Sequence, residues 1–158
     1  MPDRYYNPFQ GIDITVPIEF RDSFQKYCQT AGRAILDQSP FPRMVDMWFL
    51  AASLGARLNL EPLDLSKYET YKIIEGSIFG SDPWRIHTLM MIAISKTGDV
   101  QIVSEPRRMM ACANGLAVAG LPRLLDMLKD GGADPIWNLS ESIGTLLQPS
   151  SGTATHSS

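Results

Sequence analysis

Cysteine and histidine are scarce in this 158-residue chain, with two of each. Cys28 and Cys112 lie far apart, without C-x-x-C or any other metal-binding spacing, and a single pair makes no disulfide framework. His87 sits in periodic sequence, whereas His156 sits in a polar terminal stretch. A structural zinc site therefore lacks ligands, and the carboxylates show no EF-hand spacing. No metal and no other cofactor is expected. Long apolar runs are missing as well. "MWFLAA" (47–52) and "LMMIAI" (89–94) are the longest, well short of the ~18 residues that a membrane span needs.

Residues 1–20 lack the charged n-region and apolar h-region of a signal peptide, so a reducing, cytoplasmic setting without a membrane partner is expected. The formal net charge of −3 argues against a uniformly basic nucleic-acid binder but leaves room for a local patch. Neither a Walker A loop nor a G-x-G-x-x-G fingerprint occurs, and the G-x-S-x-G elbow of hydrolases is absent too. An enzyme is thereby disfavoured.

What is present suits one globular domain, with 44% apolar and 20% charged residues. Residues 1–17 read as an N-terminal arm with a short strand at 12–16. Residues 18–147 read as a single helical domain, and the small, polar, aperiodic stretch 148–158 reads as a disordered tail. Pro17 can open a helix running to about Leu36, with Phe20, Phe24, Tyr27, Ala31 and Ile35 on one face. A second helix falls within 39–62, nearly all apolar apart from a narrow stripe of Arg43, Asp46, Ser53 and Arg57.

In the stretch 63–81, Ser66 and Glu69 fit a capping box while the residues around Gly76 read as a short strand or hairpin, and a helical turn followed by a strand near 70–80 is expected. Asp82, Pro83 and Gly98 then punctuate a third helix, followed by a short strand near 100–103. Helical grammar recurs at 104–120, at 121–132 and from Pro135 to 147. The expected fold is mainly α, a compact bundle-like array of about six helices with a minor β element.

Five arginines run against expectation. Arg43, Arg85, Arg107, Arg108 and Arg123 are all placed in predicted first turns, where the helix dipole disfavours a cation by ~0.3–1 kcal/mol. Asp46, Asp82 and Asp126 lie at helical spacing to pair with Arg43, Arg85 and Arg123. Arg107 and Arg108 share only Glu105 nearby, so an anion or a partner carboxylate could complete them.

His87 shares its helical face with Trp84, Met91 and Ile94, which suggests a neutral histidine beside the core. Cys112, Gly115 and Ala119 form a small-residue stripe for close helix packing, within the domain or between subunits. The arm residues Arg4, Tyr5, Tyr6 and Phe9 are candidates for an interface, or for folding back over the core.

The leading functional expectation is a non-enzymatic helical interaction subunit or adaptor of a larger cytoplasmic assembly, with a protein partner or a second copy as its ligand. A nucleic-acid-binding accessory protein using the helix-end arginines is the alternative. An enzyme with a site around Asp82, Arg85 and His87 is the third reading.

Overall fold

The computed structural model describes residues 6–29 and 38–149. Strand β1 (Asp13–Pro17) leads through a 3-10 turn into α1 (Arg21–Tyr27). Helix α2 (Met44–Arg57) precedes β2 (Thr70–Glu75), and then come α3 (Pro83–Thr97), α4 (Pro106–Lys129) and α5 (Pro135–Leu147). The fold is mainly α with a minor β element, as expected from the sequence. No helix among the described residues is long and apolar enough to cross a membrane.

The sheet is small: among the described residues it consists of β1 and β2, paired antiparallel with an irregularity between Ile14 and Thr15. Ile14 and Val16 turn inward to a core shared with Phe9, Phe24, Trp48 and Phe79. Gly76 closes this end of the molecule, where a Cβ would collide with the Phe9 carbonyl oxygen.

Helices α2 and α4 form the centre, and their closeness depends on glycine. A Cβ at Gly55 would strike the Leu116 carbonyl of α4, and one at Gly120 would strike the Ala51 carbonyl of α2. Gly115 likewise admits the backbone of Leu63. Of the small-residue stripe of α4, Gly115 is thus occupied inside the domain, whereas Cys112 and Ala119 are half-buried and α2 packs on the neighbouring face of Leu116 and Gly120. Between the same helices the Trp48 indole Nε1 donates to Asn114 Oδ1 at 3.0 Å, which satisfies both polar groups in the core.

Several expected elements take other forms. The strand expected near 100–103 is a 3-10 turn, Val100–Ser104, because Asp99 accepts from the Gln101 amide and only Ile102 is buried. The strand near 70–80 ends at Glu75 and gives way to a 3-10 segment, Gly76–Ser81. The separate helices at 104–120 and 121–132 are one 24-residue helix. Pro122 lies on its exposed side, while Leu121, Leu124 and Leu128 keep the buried stripe in register. Their burial offsets the ~3 kcal/mol that an internal proline costs.

Helix α1 stops at Tyr27 rather than continuing towards Leu36. Cys28 turns extended, the Gln29 amide donates to the Phe41 carbonyl, and Ser39 Oγ donates to the Lys26 carbonyl. Ala31 and Ile35, expected on its face, lie outside the described residues.

Candidate interaction site

Asp82 precedes α3, but its side chain makes no capping bond to that helix. Its carboxylate instead faces two arginines: Arg43 at 3.3 Å and the Arg85 Nε at 3.5 Å. Asp46 in the first turn of α2 is the other acid. It accepts from the Arg43 amide and guanidinium and takes the Arg85 guanidinium at 2.6 Å. Two cations and two anions from the starts of α2 and α3 thus form one neutral cluster. Hydrogen bonding to Asp46 raises the Arg43 pKa above its ordinary value; burial works against this and Asp82 adds to it.

Arg85 is almost fully enclosed, and its guanidinium lies 4.9 Å from the Phe49 ring and 4.8 Å from the Trp84 ring. Phe49 and Trp84 meet edge to face with centroids 5.4 Å apart. Cation–π and aromatic contacts of this kind are each worth about 0.5–1.5 kcal/mol. Trp84 is therefore held in place on its inner side although 55% of it remains exposed. A large aromatic fixed before any partner arrives loses little entropy on binding.

The outward stripe of α3 continues from Trp84 through His87 to Met91, which is 70% exposed. His87 thus faces solvent, contrary to a place beside the core. Trp84 and Met91 share that outward side, while Ile94 packs against the core. Among the described residues His87 forms no ion pair, so the structure brings it no carboxylate.

The five arginines separate. Arg43 and Arg85 are paired as the sequence suggested, with the added cross-links of Arg43 to Asp82 and Arg85 to Asp46. Arg108 is exposed and pairs with Glu105 at 3.1 Å and Asp99 at 3.7 Å. Arg123 is not in a first turn at all, because α4 runs through Pro122; it is exposed and has no ion pair among the described residues. Arg107 is exposed at the second position of α4, again without an ion pair among the described residues. It borders an open depression of about 530 Å³ with Pro8, Gln10, Ile12 and Glu105.

Of the arm, Phe9 is fully buried against Phe79 and belongs to the core, whereas Tyr6 is exposed. Arg4 and Tyr5 lie outside the described residues.

Cys28 donates to the Met47 sulfur at 3.8 Å in the core, and burial, followed by the Asp46 charge, pushes its pKa up to about 12. Burial also raises that of Cys112. Neither thiol is activated for nucleophilic or redox work.

A second exposed apolar surface went unnoticed in the sequence. Helix α5 buries only Asn138 and Leu139 fully, yet Trp137 is 67% and Leu147 65% exposed. The available signal was a helical segment, 135–147, in which Glu141 is the only charged residue. No family model, curated protein or solved structure matches this chain.

Proposed function

We propose that the chain is a non-enzymatic interaction subunit, an adaptor of a larger cytoplasmic assembly, that docks a protein partner on the outer stripe of α3. The single observation that carries this reading is the exposed Trp84, fixed from behind by Phe49 and by an arginine that two carboxylates hold. Met91 extends the apolar contact two turns further along the same helix. The pairing of Asp82 with both arginines and the outward turn of His87 weigh against a catalytic role for these three residues.

Affinity purification of tagged wild-type and Trp84→Ala chains from the native host tests the proposal. The expected result is a stoichiometric protein partner with the wild type and its loss with Trp84→Ala. His87→Asn, beside the anchor, should change recovery much less. Equal recovery with Trp84→Ala would overturn the reading.

Arg107 favours a second reading, anion binding. It is exposed beside free amides at the start of α4, with no carboxylate paired to it among the described residues. Nucleic acid is the macromolecular form of such a ligand. Salt-dependent retention on DNA or RNA, lost in Arg107→Glu, would support it.

A further inference from the structure

Asn114 is a buried polar residue with half of its amide unused. It lies in α4 and is only 7% exposed. Its Oδ1 accepts from the Trp48 indole. An indole N–H only donates, so this contact fixes which end of the amide is oxygen and which is nitrogen. Nδ2 is left with two hydrogens and no partner among the described residues, yet it is not sealed from solvent.

Asn114 lines a cavity of about 260 Å³, together with Thr15 of β1, Ala111 of α4 and Leu63, Asp64 and Ser66 of the segment between α2 and β2. Thr15 also carries unused backbone groups. The Ile18 amide donates to the Glu69 carbonyl, and residues of an antiparallel pair face their partner strand alternately. Val16, opposite Tyr71, therefore bonds to β2, whereas Thr15, opposite Lys72, does not. The Thr15 amide and carbonyl point away from β2, at an edge that no third strand covers among the described residues. Asp64 adds an acceptor. Its carboxylate takes the Ser66 amide at 3.0 Å, and hydrogen bonds from the Ser66 hydroxyl and amide hold it below the usual carboxylate range, so it stays an anion.

These groups define a ligand by what they leave unpaired. Asn114 calls for an acceptor, Asp64 for a donor, and the Thr15 edge for one of each. No cation lines the cavity among the described residues, which disfavours an anionic ligand. An amide unit carries a donor and an acceptor without charge, and an extended chain repeats that pair. We propose that the cavity is a binding site for peptide backbone, taking a short, extended, uncharged segment of another protein. One carbonyl oxygen of the segment accepts from Asn114 Nδ2. Its remaining amide groups pair with the Thr15 edge and with Asp64, in the manner of a strand added to a sheet. The site uses no residue of the α3 stripe and stands whether or not Trp84 anchors a partner.

The probe is N-acetyl-alanyl-alanine N-methylamide, a peptide with both ends blocked, titrated into the isotope-labelled full chain and followed by NMR. The expected result is a saturable shift of the Asn114 side-chain amide and the Thr15 backbone amide. So small a ligand should dissociate with a constant on the order of 1 mM. Ala111→Leu, at an exposed position on the cavity wall, should weaken binding at least about tenfold with an unchanged circular dichroism spectrum. Asn114→Asp keeps an acceptor for Trp48 but removes the donor, and should lose the binding. Trp84→Ala should bind the probe as the wild type does. Acetate and glucose offer acceptors without the paired amide and should give no saturable shift. Absence of a saturable shift with the peptide would mean that the cavity holds only water, and would overturn the proposal. So would binding that survives Ala111→Leu, or saturation by acetate or glucose.

Discussion

Asp46 holds two guanidiniums, and without its charge Arg85 keeps only the longer contact to Asp82 in a place that admits little water. Asp46→Asn should therefore destabilise the fold by about 2–3 kcal/mol. Arg43→Gln, at the more exposed edge of the cluster, should cost under about 1 kcal/mol. Urea denaturation of the two variants measures both; equal losses would mean that Arg85 does not depend on Asp46. A second residue-scale expectation concerns alkaline pH. Burial raises the Cys28 thiol from 9.0 to about 12 and the Tyr71 hydroxyl from 10.0 to about 12. Above pH 9.0 the unfolded thiol loses its proton while the folded one keeps it, so the folded state binds more protons and stability falls as pH rises. That contribution is intact below pH 9.0 and lost through about pH 12. Cys28→Ala should remove the earlier part of the decline in melting temperature and leave the part due to Tyr71. An unchanged pH profile in Cys28→Ala would contradict the assignment.

At the scale of elements, local punctuation was legible where a single residue decides the backbone. Pro83 opens α3, and Gly98 closes it with a left-handed φ of 66°, both as their positions in the sequence indicate. Close packing at Gly115 was legible in the small stripe of α4, where the 62–63 segment occupies it, but the close approach of α2 falls on Leu116 and Gly120, outside that stripe. Tertiary packing overrode local grammar elsewhere. Pro122 reads as a break, yet the leucines on either side of it stay buried and carry the helix through. Val100–Val103 has strand composition but finds no strand to pair with among the described residues. Two kinds of substitution test these points by thermal denaturation. Pro122→Ala should raise stability, by up to ~3 kcal/mol, because it restores an amide donor on an exposed turn. Gly120→Ala should cost about 1–3 kcal/mol against the Ala51 carbonyl. Gly144→Ala, in open space, should instead gain about 0.5–1 kcal/mol. Similar effects of the two glycine substitutions would contradict the close α2–α4 packing.

Across the whole molecule, the charged residues of the candidate site were visible in the sequence, whereas Trp84 and Met91 read there as a face beside the core and are exposed in the structure. Pairing of Arg43 with Asp46 and of Arg85 with Asp82 follows from helical spacing, whereas the cross-links between α2 and α3 join residues 39 positions apart. For His87, periodicity identified an apolar face without saying which way it points. Trp84 acquires its rigidity from Phe49, a residue on another helix that no local pattern connects to it. The most direct measurement of the central proposal is photo-cross-linking in the native host from a benzophenone side chain at Met91. The expected result is one protein adduct of defined mass, abolished when Trp84→Ala is introduced into the same chain. No adduct from Met91, or an adduct that persists with Trp84→Ala, would contradict docking on the α3 face.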